Sequence, residues 1–86
     1  MANPPTAEEV GQLILDLFRG NGLRAGEMLL DSAINSHFLS SLLVRGADLA
    51  AGLQYLVQRG MLERKPTGPS AYYLTQAGFD AINERP

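Results

Sequence analysis

Glycine and proline break this chain at short intervals, and that punctuation limits it to a few short elements. The breaks fall at Gly20-Asn21-Gly22, Gly46, Gly60 and the run Pro66-Thr67-Gly68-Pro69-Ser70. Gly and Asn tolerate the left-handed backbone that ends helices, and Pro fixes φ in turns. Between the breaks the apolar residues recur mostly at helical spacing. Before the first, Val10, Leu13, Ile14, Leu17 and Phe18 follow the i, i+3, i+4, i+7, i+8 order of one helix face. Thr6 and Glu9 ahead of them form a capping box, in which the Thr oxygen accepts from a helix N–H and the Glu reaches back. This predicts a first helix over 6–19.

The following segments are read in the same way. Residues 23–30 suggest a loop and a short extended piece, with a helix starting near Arg24 as the rival. Asp31 is placed to cap a second helix, whose stripe is Ile34, Phe38, Leu39, Leu42 and Leu43 and which Gly46 closes. A third helix over 47–59 starts at Ala47 or Asp48. It buries Leu49, Leu53, Leu56 and Val57, with Gly52 permitting a neighbour's close approach and Gly60 as its stop. Residues 61–65 and 71–74 read as two strands of a hairpin joined by the Pro/Gly turn. Thr75 caps a short last helix that rests on Phe79 and Ile82.

Eighty-six residues make a single domain, 6–84, behind a flexible leader, 1–5. A chain of this size buries roughly 60–65% of its unfolded surface, so its core is modest. With no cysteine there is neither a disulfide nor a thiolate metal site. The start Met1-Ala2-Asn3-Pro4-Pro5 lacks a signal peptide's basic and apolar regions, and no apolar run is long enough to span a bilayer. A soluble, cytoplasmic protein is expected. The net charge of −2 is unevenly spread. Residues 1–44 set two Arg against five acids, and residues 71–86 set one Arg against two. Only 45–70 is net basic, with Arg45, Arg59, Arg64 and Lys65 against Asp48 and Glu63.

One stretch is specific enough to suggest a family. Leu53, Leu56, Gly60, Met61 and Leu62 stand in the spacing L-x-x-L-x-x-x-G-M-L, and Tyr73, Leu74, Thr75 and Gly78 follow the Pro/Gly turn. Together they resemble the end of the recognition helix and the post-wing run of winged helix-turn-helix regulators of the MarR-like and PadR-like kind. The resemblance implies an α+β, mostly helical winged helix: a three-helix core, a two-stranded β-hairpin wing and a short C-terminal helix. It also implies a bacterial or phage transcriptional regulator, not an enzyme, that needs no cofactor and binds double-stranded DNA through helix 47–59 and the 61–74 hairpin.

On that resemblance the DNA-binding residues are Arg45, Ala51, Gln54, Tyr55, Gln58, Arg59, Arg64 and Lys65. Gln54 or Gln58 would pair with adenine N6/N7, and the cations would meet phosphates. The chain departs from the pattern at the start of this helix. It has Asp48, Ala50 and Ala51 where such regulators carry Ser, Thr or Arg. The alternative is a protein-interaction module on the same scaffold, presenting Ala50, Ala51 and Tyr55, since interface cores are poor in charge and rich in Tyr. A monomer or weak homodimer is expected in either case.

Each of these residues also has a plainer reading. Tyr55 suits a packing tyrosine, Gln54 and Gln58 are good helix formers, Arg45 and Arg59 suit helix C-termini, and Arg64 and Lys65 suit a solvated strand edge. His37 is the only histidine, which leaves no metal or triad to build. Ser32, Ser36 and Ser40 fit the polar face of the second helix. Glu8 and Glu9 fit a helix's first turn rather than a catalytic pair. Gly20-x-Gly22-x-x-x-Gly26 follows a helix and has one residue too many for a phosphate loop.

Overall fold

The structure is a computed structural model that describes residues 5–40 and 44–84. The first helix, α1, runs Ala7–Gly20. Its capping box forms as expected: Glu9 N–H donates to Thr6 Oγ1 at 3.1 Å, and Thr6 N–H donates to Glu9 Oε1 at 3.0 Å. At the other end Asn21 donates twice to the Leu17 carbonyl, from its backbone at 3.1 Å and its side chain at 2.8 Å. Gly22 then turns the chain at φ +69°.

The buried arc of α1 differs from the expected stripe. Val10, Ile14 and Phe18 are fully buried, Leu17 is half-buried, and Leu13 is 40% exposed. Leu15, outside the stripe, is 1% exposed. The helix is rotated because its closest neighbour approaches on the side of Gly11. That neighbour is α3, Gly46–Gln58. A Cβ on its Gly52 would lie 2.8 Å from Val10 Cβ and 3.2 Å from the Gly11 nitrogen. Gly11 in turn faces Tyr55 and Leu56. Two glycines thus let two backbones come together, and side chains to either side fill the remaining space.

The piece after α1 is extended, as β1, Met28–Leu30, and it leads directly into α2, Asp31–Ser40. Leu42 and Leu43, expected in the second helix, lie outside the described residues, while Leu39 is exposed and Ile34 and Phe38 are buried. Gly46 does not close this helix; it opens α3. Arg45 is the N-cap, in extended backbone at φ −76° and ψ 154°, and its carbonyl accepts the first helical bond from Leu49 N–H at 2.9 Å. At the far end Gly60 adopts φ +74° and Met61 N–H reaches back to the Leu56 carbonyl at 2.9 Å, so the chain leaves the helix straight into a strand. Val57, expected in the core, is 36% exposed because the buried arc is centred on Leu49, Leu53 and Leu56.

The expected two-stranded hairpin is instead part of a three-stranded antiparallel sheet. Strands β2, Leu62–Glu63, and β3, Ala71–Leu74, pair with Leu62 opposite Leu74, so β2 is shorter than 61–65. On the other side of β3 the β1 strand adds Met28 opposite Tyr73 and Leu29 opposite Tyr72, giving the order β1-β3-β2. Thr75 caps α4, Gln76–Glu84, accepting from Gly78 N–H at 3.0 Å, and its hydroxyl donates to the Gly60 carbonyl at 2.5 Å. One threonine therefore ties the end of α3 to the start of α4. The result is a small, mostly helical α+β domain with one core, in which Phe18 and Phe38 are the largest fully buried side chains. No helix among the described residues is long and apolar enough to cross a membrane.

Candidate nucleic-acid interface

The outward face of α3 is set by its inward one. With Leu49, Gly52, Leu53 and Leu56 buried, helical geometry turns Ala47, Ala50, Ala51, Gln54 and Gln58 to solvent, and all five are exposed. None of them is charged. Arg45 at the N-cap and Arg59 at the C-cap bracket the face, both exposed. Thirteen helical residues place these two cations about 20 Å apart along the axis. Among the described residues, no ion pair engages either one.

Arg45 is also expected to suit the C-terminus of the second helix, whose approach to residues 41–43 lies outside the described residues; what is described is its place at the start of α3. It stands at the N-terminus of α3, where the helix dipole is positive and a cation is disfavoured, and its side chain makes no capping bond. Arg59 does sit at a C-terminus, with its guanidinium carbon 5.0 Å from the centre of the Tyr55 ring. Tyr55 itself is turned toward α1. It is half-buried beside Gly11 and packs on the core, so it leaves the outward face that it was expected to share with Ala50 and Ala51. Asp48, one helical heptad earlier on the same flank, is also half-buried.

The two cations of the β2–β3 loop are separated by strand alternation. Tyr72 packs on the core and Tyr73 faces the opposite side of the sheet. Arg64 lies over Tyr72 at 4.5 Å, and Lys65 lies over Tyr73 at 4.3 Å. Arg64 is therefore on the α3 side, while Lys65 is on the far side. Arg64 is also held by a partner that the sequence reading missed. Its Nη1 donates to both Asp31 oxygens, at 3.2 and 3.1 Å. Asp31 opens α2, but its carboxylate accepts from Arg64 rather than from the helix's first N–H groups. The Asp31 carboxylate, and after it Tyr72, raise the guanidinium above its ordinary pKa.

This pair stands at the rim of an open groove of about 450 Å³ between α2, α3 and the sheet. Ala50, Gln54 and Val57 form its α3 wall, with Asn35 and Tyr72 opposite. Of the residues expected at a DNA surface, the structure brings Gln54 and Arg64 to this groove. Ala51 and Gln58 lie on the adjoining face, and Arg45 and Arg59 at the ends of α3. Tyr55 and Lys65 are directed elsewhere. Asp31, Asn35, Val57 and Tyr72 belong to the groove without having been expected there. Asp31 and Arg64 are 33 residues apart, and no local spacing links them.

Comparison of the chain with protein-family models, with characterised proteins and with solved structures returns no match.

Proposed function

We propose that the chain is a winged-helix module that binds double-stranded DNA, with α3 as the recognition helix and the β2–β3 loop as a short wing. One observation carries this reading. Arg45 and Arg59 frame an uncharged outer face at the two ends of α3, and Arg45 stands where it opposes the helix dipole. The stability of α3 does not call for a cation there, whereas a phosphate beside the N-cap does. The face between suits a major groove about 12 Å wide. Ala50 and Ala51 keep the helix slim and offer methyls to thymine, and Gln54 and Gln58 are one turn apart and suited to adenine. The order α1, α2, α3, β2–β3, α4, with Gly60 and Thr75 at the joints, supports this reading, while β1 adds a third strand to the expected hairpin.

The test is duplex binding by fluorescence anisotropy across a salt series. An Arg45→Ala/Arg59→Ala variant should bind at least roughly tenfold more weakly at low salt. Its plot of log affinity against log salt should flatten by about 1.8, the loss of two phosphate contacts. Wild-type affinity and slope in that variant would overturn the reading.

A protein-interaction role is the second reading, and Val57 favours it. This residue is 36% exposed on the α3 wall of the groove, about one turn from Gln54 and two from Ala50, and that wall carries no charge. With Tyr55 turned inward, the α3 wall carries no aromatic anchor of the kind that interfaces favour, and Tyr72 across the groove is half-buried beneath Arg64. The DNA reading is the one that also explains the arginines.

A further inference from the structure

We infer, resting on the DNA reading above, that Asp31 restrains the domain's affinity for DNA by holding Arg64 away from phosphate. The geometry has three parts. Arg64 lies on the α3 side of the sheet, at the rim of the groove whose opposite wall carries Ala50 and Gln54. It therefore borders the face proposed to enter the major groove, close to where a flanking phosphate strand would run. Its contact with Asp31 uses one nitrogen, Nη1, shared between both carboxylate oxygens, so the pair does not use the bidentate fork of which a guanidinium is capable. Tyr72 supports the guanidinium from below at 4.5 Å, independently of Asp31. Loss of the carboxylate thus leaves the arginine positioned and charged, not collapsed.

The pair is exposed, 43% for the Arg64 side chain and 31% for that of Asp31, and exposed pairs are weak in themselves. What keeps Arg64 in place beside DNA is the alternative. If it moved to a phosphate, the Asp31 carboxylate would be left bare at the same rim, facing a duplex with one charge per ~1.7 Å. In the wild-type protein the pair therefore stays closed and adds no net charge to the interface. Removing the Asp31 charge turns a neutral pair into one additional phosphate contact. This gives the acidic residue a role that capping does not: it sets how much of the domain's small positive charge reaches DNA.

The experiment compares wild type, Asp31→Asn, Asp31→Asn/Arg64→Gln and Asp80→Asn on a random-sequence duplex over a salt series. Asparagine remains a residue suited to a helix start, so α2 should stay intact, which circular dichroism verifies. Asp80 accepts a hydrogen bond from Gln76 on α4, and its replacement reproduces the charge change away from the groove. Asp31→Asn should bind roughly fivefold more tightly at low salt and steepen the salt slope by about 0.9, the signature of one more phosphate contact. The double variant should return to the wild-type slope, and Asp80→Asn should leave the slope unchanged. An unchanged slope in Asp31→Asn, or a steeper slope that survives loss of Arg64, overturns this inference while leaving the DNA reading standing. Absence of binding in all four proteins at low salt overturns both.

Discussion

Gly52 and Gly46 lie in the same helix and should respond oppositely to the same substitution. A methyl at Gly52 would press on Val10 Cβ at 2.8 Å and on backbone at 3.2 Å, in the contact that joins α1 to α3. Gly52→Ala should cost about 1–3 kcal/mol, because a tight backbone approach relaxes less readily than a side-chain contact. At Gly46 nothing lies within 4 Å of a new Cβ, and the residue does not use the positive-φ region. Gly46→Ala should stabilise by about 0.4–1 kcal/mol through the unfolded chain. Urea unfolding of both variants checks the pair, and equal effects would contradict this account of the α1–α3 contact. Residue-scale features of this kind were readable in the sequence where their partners were close by. Thr6 with Glu9, Gly60, and Thr75 with Gly78 all act within about one helical turn. Gly52 was legible as a close-approach position, but not the identity of its neighbour. The Asp31–Arg64 pair was not legible, since a chain reversal and a strand pairing are needed to bring the two together.

At the scale of elements, α3 joins stability to the proposed function at a single position. Serine, threonine, asparagine and aspartate are preferred N-caps, and this helix begins instead at arginine. Arg45→Ser should therefore stabilise the domain by about 1 kcal/mol while weakening DNA binding. Thermal unfolding and anisotropy on the same sample read both effects, and a variant less stable than wild type would show that Arg45 has a structural task after all. The helices were legible as helices, but their rotation was not. Leu13 and Val57 fit apolar stripes and are exposed, while Leu15 falls outside its stripe and is buried. Periodicity gives the width of a buried arc, whereas the neighbour's approach fixes its centre. Residues 23–30 were legible as holding a short extended piece, but its pairing as a third strand was hidden for a related reason. Three residues carry no periodicity of their own, and β1 exists as a strand because Tyr72 and Tyr73 of β3 present an edge for it.

At the scale of the molecule, acidic groups outnumber basic ones on α1 and α4, and basic groups outnumber acidic ones around α3 and the β2–β3 loop, where Asp48 and Glu63 also lie. Glu8, Glu9 and Asp16 lie on α1, and Asp80 and Glu84 on α4, while Arg45, Arg59, Arg64 and Lys65 surround α3 and the β2–β3 loop. A chain of net charge −2 thus sets Arg45, Arg59 and Arg64 around α3, with Lys65 on the other side of the sheet, and such a local excess orients a molecule toward a polyanion even when its total charge does not. With few cations carrying the attraction, the salt slope should be modest, about 0.9 for each phosphate contact, and binding should be weak and best seen at low salt. A backbone amide NMR titration with short random-sequence duplex DNA, at low and then moderate salt, tests this most directly. The account predicts shifts at Arg45, along the Ala50, Ala51, Gln54 and Gln58 face and at Arg59, with weaker changes in the β2–β3 loop, all fading as salt rises. No shifts at low salt, or shifts centred on α1 and α4, would contradict it, because the non-specific electrostatic attraction should be seen there first.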